Sequence, residues 1–150
     1  MQVTGSYTFD GLPSDVWAVL VDPDAVADCV PGCKSFKAMG SDKYRAIMAI
    51  GIASVKGQYE GTVSILDQRP GESFRLVLEG SGTPGFVRGE GVVNVVEKGG
   101  KTQVDVTGDA EVGGIIGRVG HRILGRASKL LIDEYFKCMR KKVASTRVGS

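Results

Sequence analysis

From its second residue the chain alternates. In QVTGSYTFD, Val3, Gly5, Tyr7 and Phe9 fall on one side and Thr4, Ser6 and Thr8 on the other, the period of a strand buried on one face. The period then changes. Pro13 and Ser14 open a short helix carrying Val16, Trp17, Val19 and Leu20, and a second short helix starts after Pro23 and stops at Pro31-Gly32. From Lys34 onward the period is two again, broken by turn signals at Gly40-Ser41-Asp42, near Gly51, at Arg69-Pro70-Gly71, at Gly82-Thr83-Pro84-Gly85 and at Gly99-Gly100. This spacing predicts a meander of about six antiparallel strands. One face is apolar throughout, with Tyr44, Ala46, Met48 and Ile50 inward, then Val55, Tyr59, Val63 and Ile65, then Phe74, Leu76 and Leu78, and Val87, Val93, Val104, Val106 and Val112 after them. Glycines at 57, 61, 89, 91 and 108 interrupt that face and suit bulges and bends that curve a sheet.

The last element has a period of 3.6. Between about Gly114 and Val143, Ile116, Gly120, Ile123, Leu124, Ala127, Leu131, Tyr135 and Cys138 share one face, while Arg118, Arg122, Arg126, Lys129, Asp133, Lys137 and Arg140 share the other. A single long amphipathic helix is expected there, including Gly117, Gly120 and Gly125, each of which costs about 1 kcal/mol of helix propensity and leaves space for something else. The fold class that follows is α+β, a curved antiparallel sheet burying its apolar face on the C-terminal helix. One domain is expected over residues 1–144, with 145–150 as a loose tail.

Composition adjusts this picture in two places. The net charge of +2 is unevenly spread: the expected helix holds a surplus of Lys and Arg, and the region before it a surplus of Asp and Glu. A basic face of this kind is either solvated or steered towards an anionic surface or acidic partner. The cysteines, Cys29, Cys33 and Cys138, form an odd, sparse set without a disulfide framework, which predicts free thiols in a reducing, cytoplasmic compartment. The first residues lack the pattern of a signal peptide, and no run approaches the ~20 apolar residues of a membrane span.

Catalytic signals are weak. His121 is the lone histidine and has no paired carboxylate in sequence, so a structural role is expected of it. Cys29 and Cys33 would leave a tetrahedral zinc site half empty, and neither a metal nor a cofactor is expected. Glu134 points towards the apolar arc, where an unpaired carboxylate would be costly; it either meets a cation or hydroxyl or serves a ligand. The basic helix lacks the aromatic or glycine-rich elements that read nucleic acid, so none is expected as a partner.

The element order, together with DPDAVADCVPGC after the first helix, VKGQYEGTV, GFVRGEGVV and EVGGIIGRVGHRIL with DEYF downstream, resembles the carbon monoxide dehydrogenase G-subunit family of the START-like, polyketide-cyclase-like helix-grip superfamily. That resemblance implies a seven-stranded antiparallel sheet gripping the long helix around an apolar cavity. It also implies an accessory role to a molybdenum-containing hydroxylase, with an apolar small molecule, quinone or lipid, as ligand and a peripheral membrane contact. In such a cavity the expected lining is Trp17, Phe36, Tyr44, Met48, Tyr59, Phe74, Leu76, Gly120, Ile123, Leu124 and Ala127. Arg118, Arg122 and Arg126 are the expected membrane or partner contacts. Two other roles are compatible with the resemblance: a cyclase or dehydratase using His121, Glu134 or a tyrosine, and an assembly factor without a ligand.

Overall fold

The computed structural model describes residues 1–148 and contains seven strands in one antiparallel sheet, with spatial order β1-β7-β6-β5-β4-β3-β2. Strand β1 (Gln2–Phe9) is followed by helices α1 (Pro13–Leu20) and α2 (Pro23–Cys29). The meander then runs β2 (Cys33–Gly40), β3 (Lys43–Ile50), β4 (Gly57–Arg69), β5 (Ser73–Gly82), β6 (Gly85–Lys98) and β7 (Lys101–Gly113), and helix α3 (His121–Val148) crosses the concave face. The α+β architecture expected from the alternation, and the helix-grip arrangement that the resemblance implies, are what the chain adopts.

Local chemistry explains the connections. Pro13 and Pro23 each stand in a first helical turn, where a missing N–H costs nothing. Asp22 caps α2 by accepting from the Asp24 amide at 3.0 Å. Thr102, the one fully buried polar residue described, donates to the Gly11 carbonyl at 2.7 Å and so ties β7 to the turn before α1. At Gly91 and Gly108, paired across β6 and β7, an added Cβ would meet a carbonyl oxygen of the neighbouring strand at 2.7 Å. Bare α-carbons are what let the strands come this close as the sheet bends.

Several expectations change. The long helix does not begin at Gly114: residues Ile116–Arg118 form a separate 3₁₀ turn, and α3 starts at His121. Gly114 (φ +78°) and Gly120 (φ +93°) take left-handed conformations that a helix cannot contain, and the Ile116 amide is held by the Pro84 carbonyl at 2.8 Å. Of the three glycines only Gly125 is in the helix, and it faces open space. Val55 belongs to a 3₁₀ turn (Ala53–Val55) and not to a strand. The tail expected at 145–150 is helical as far as Val148, and its last two positions lie outside the described residues.

The largest correction concerns the cysteines. Cys29 of α2 and Cys138 of α3 form a disulfide with their α-carbons 5.3 Å apart, and only Cys33 is a free thiol. The two are 109 residues apart in sequence, and no local spacing signals the pairing.

Candidate functional site

Sheet and helix pack tightly at two places and not between them. One core cluster, built on Phe9, Val16, Trp17, Phe74, Phe136 and Met139, joins α1, α2 and α3 to one end of the sheet. A smaller one, Ile50, Val55, Ile116, Leu124 and Ala127, joins the first turns of α3 to the other end. Members of both clusters line a cavity of about 500 Å³ that separates them, a volume in the range of small-molecule sites.

The void comes from the sheet. Across the strands, Gly61 pairs with Gly80, Leu78 with Gly89, and Gly91 with both Leu76 and Gly108. All of these glycines are on the cavity wall, so much of the inner face of β4–β7 carries no side chain. Inward-facing Leu78 is 38% exposed although it sits on the concave side, a direct sign that no protein group fills the space in front of it. Room was expected from glycines of the helix; the structure makes it with glycines of the strands.

Of the expected lining, Phe36, Tyr44, Met48, Tyr59, Phe74, Leu76, Leu124 and Ala127 are on the wall. Trp17, Gly120 and Ile123 are not. Trp17 is buried behind the wall, edge-on to Phe74 at 5.5 Å, because α1 packs on the core and not over the cavity. Gly120 is in the turn before α3, and Ile123 is 41% exposed on the helix flank. Residues that sequence reasoning missed include Val26, Val30 and Pro31 from α2 and its exit, and Ser128, Leu131 and Tyr135 from α3. Leu131 and Tyr135 were on the apolar arc and could have been found by extending it; the α2 residues carried no period long enough to show their face.

Polar groups on this wall are few. The Tyr59 hydroxyl donates to the Val55 carbonyl at 2.6 Å, which fastens the 3₁₀ turn to β4. Tyr44 stacks on Phe36 with ring centroids 4.9 Å apart near the sheet edge. Glu60 and Glu90, on the wall with Glu79 and Asp109, pair their carboxylates with Arg45 and Arg75. Tyr135 is half-buried, edge-on to Phe136 at 5.1 Å, and burial alone drives its phenol well above the ordinary value. No lysine or arginine lines the cavity among the described residues.

Of the groups considered for acid–base work, tyrosines are on the wall at Tyr44, Tyr59 and Tyr135, whereas His121 and Glu134 stand elsewhere. His121 is exposed at the start of α3, and Glu134 is exposed as well, which removes the desolvation cost expected for its carboxylate. Among the described residues no group of three His, Cys, Asp or Glu side chains is placed to hold a metal. The basic row also differs from an unbroken helical stripe. Arg122 and Arg126 are exposed one turn apart on α3, whereas Arg118 lies in the 3₁₀ turn before it. Lys129 pairs with Asp133 at 3.3 Å, and Arg140 donates to the Thr8 carbonyl at 2.9 Å.

Residues 5–144 match the carbon monoxide dehydrogenase G-subunit (CoxG) family. A crystal structure of a conserved protein from Geobacillus kaustophilus is similar over 97% of both chains, with 39% sequence identity and a TM-score of 0.95. A START superfamily protein from Mycobacterium smegmatis is similar over 97% of this chain and 98% of its own, at 12% identity and a TM-score of 0.74. A protein from Thermus thermophilus is similar over 97% and 99%, at 15% identity and a TM-score of 0.72. These last two share the fold. No curated protein matches the chain.

Proposed function

Because the chain belongs to the carbon monoxide dehydrogenase G-subunit (CoxG) family, we propose that it is a non-catalytic carrier that holds an apolar small molecule, a quinone or lipid, in the service of a molybdenum-containing hydroxylase. The apolar cavity between the strands and α3, which no protein side chain occupies, carries this reading. Its walls lack dispersion contacts with other protein groups, contacts that an apolar ligand would supply. His121 and Glu134, both exposed and off the cavity wall, are poorly placed for a cyclase or dehydratase, which would have to work with a tyrosine of the wall alone.

A peripheral membrane contact is part of the same reading. Arg118, Arg122 and Arg126 are exposed at the end of the molecule that also exposes Ile115 (66%) and Ile123 (41%), and Leu130 (56%) continues the apolar row along α3. Basic groups interleaved with apolar ones suit an anionic bilayer surface, where apolar side chains enter the interface and the charges meet the headgroups. Among the described residues no helix is long and apolar enough to cross a membrane.

Native mass spectrometry of the purified protein tests the carrier. A co-purifying apolar molecule, released on denaturation, is expected. A ligand-free protein that binds the hydroxylase tightly would replace the carrier with an assembly factor.

A further inference from the structure

One wall of the cavity is a single short helix thick. Pro23 and Val26 of α2, with Val30 and Pro31 at its exit, line the cavity, while Asp24 and Asp28 on the other side of the helix are exposed to water. With seven residues, α2 is too short to be stable without the contacts around it. Backbone bonds fix the segment at both ends. Before α2 the Asp22 amide donates to the Val19 carbonyl at 3.2 Å, and after it the Gly32 carbonyl accepts from the Ala49 amide at 2.8 Å. Between those points α2 is held to α3 by the Cys29–Cys138 bridge, by the Lys142–Asp28 ion pair at 2.7 Å, and by burial of Ala25, Val26 and Cys29 in the cluster that contains Met139 and Val143. The ion pair is exposed and contributes little. The buried side chains of α2 are small, so the covalent bond is the strongest of these attachments.

That bond can be reached from outside. Cys29 is 4% exposed, but Cys138 is partly open to solvent, so a small dithiol has access to the Cys138 sulfur. The dithiol supplies two electrons and two protons. Its thiolate attacks Cys138 Sγ, the bond to Cys29 breaks, and Cys29 leaves and takes up a proton. The second thiol of the reductant then displaces Cys138, which also ends as a thiol, and the reductant ends as a disulfide. Burial raises the Cys33 thiol above its ordinary value, which disfavours it as the attacking group. Resting on the carrier reading, we infer that the Cys29–Cys138 bond is a redox latch on the α2 wall: oxidised, it holds α2 against α3 and retains the ligand, and reduced by a dithiol, it lets residues 23–31 swing between Asp22 and Gly32 and opens a side exit from the cavity.

Release of a fluorescent apolar probe, 2-ethylnaphthalene, into excess β-cyclodextrin tests the latch by stopped flow. Treating the oxidised protein with dithiothreitol should raise the dissociation rate about tenfold or more, because a local opening is governed by the contacts that oppose it. Cys33→Ser should respond in the same way, and Cys138→Ser should release the probe at the fast rate with or without dithiothreitol. The dithiothreitol experiment uses the wild-type chain and does not depend on either variant folding. Amide hydrogen exchange, followed by mass spectrometry without any ligand, reads the movement itself: on reduction, exchange should quicken across residues 22–33 while β4–β7 keep their protection. A dissociation rate unchanged by reduction, or faster exchange spread evenly over the sheet and α3 as a general loss of stability would give, would overturn the latch and leave the carrier standing. If 2-ethylnaphthalene binds neither form, the carrier reading falls, and the exchange pattern still decides whether the bridge holds α2 in place.

Discussion

The Tyr7 hydroxyl, on the first strand, donates to Asp133 Oδ1, on the last helix, at 2.9 Å. The Tyr7 ring also stacks on Phe136 with centroids 4.1 Å apart, and the Arg140 guanidinium lies over the Tyr7 ring at 5.9 Å. Edge strand β1 is thereby fastened to α3, and the disulfide fastens α2 to the same helix. Both attachments belong to the core cluster at one end of the cavity.

Alkaline pH should loosen the first. Burial, followed by the bond to Asp133, raises the Tyr7 phenol to about 12, against an ordinary value of 10.0. The native state therefore favours the protonated phenol. Its contribution is complete below pH 10 and is lost as pH rises towards about 12. Tyr7→Phe should cost about 0.5–1.5 kcal/mol at neutral pH, and its urea midpoint should fall less steeply than that of the wild-type protein between pH 10 and 12. Other buried tyrosines titrate in both proteins, so parallel curves would mean that the Tyr7 bond contributes nothing.

Gly32 should tolerate no side chain. It has φ +70°, its carbonyl accepts from the Ala49 amide at 2.8 Å, and a Cβ would run into the Ala49 carbonyl oxygen, which is backbone and cannot step aside. Gly32→Ala is expected to destabilise by about 2 kcal/mol or more. Chemical denaturation would refute this by finding a change below about 0.5 kcal/mol.

The disulfide should matter more than any single packing contact. Tying residues 109 apart restricts the unfolded chain, and loss of a bridge of this span costs about 2–5 kcal/mol. Cys138→Ser should lower the unfolding free energy by that amount. Thiol titration of the oxidised protein in denaturant should find Cys33 alone, and all three cysteines after reduction. Three reactive thiols before reduction would show the bridge absent.

Ala127 should control the volume available to a ligand. It is 4% exposed on the cavity wall, between Leu124 and Leu131 on the same face of α3. Ala127 also belongs to the smaller core cluster, so Ala127→Trp must turn its indole past that packing into the cavity, at a cost of about 1–3 kcal/mol. Binding of 2-ethylnaphthalene should be lost; unchanged affinity would place the ligand elsewhere.

Arg118 in the 3₁₀ turn before α3, with Arg122 and Arg126 at its start, should bind anionic surfaces reversibly. Each basic group near such a bilayer contributes about 1 kcal/mol, and raising salt from 0.1 M to 1 M shortens the screening length from about 10 Å to about 3 Å. Sedimentation with anionic, but not neutral, vesicles is expected at low salt. It should disappear when Arg118, Arg122 and Arg126 are changed together to glutamine. No sedimentation at low salt would leave the basic face as solvated surface.

Alternation was enough to place the wall of the cavity. Tyr44, Met48, Tyr59, Phe74 and Leu76 face inward because side chains two apart in a strand must share a face, and that rule needs no knowledge of the neighbouring strand. Helical periodicity, applied to α3 in the same way, found Leu124 and Ala127. It failed at Gly120 and Ile123. Gly120 takes a left-handed conformation before α3 begins, and Ile123, although within α3, is on the exposed flank of the apolar arc.

What the sequence by itself determined, then, was the class and order of the elements and the apolar face of each, since period, proline position and turn glycines act within a few residues. Tertiary structure alone decided the Cys29–Cys138 bridge and the Tyr7–Asp133 bond. Each depends on which distant segments meet. That is governed by the curvature of the whole sheet and by the angle at which α3 crosses it, quantities summed over all seven strands and written in no one of them. The cavity is of the same kind: its glycines are visible along the chain, but only their alignment across β4–β7 turns missing side chains into one continuous space.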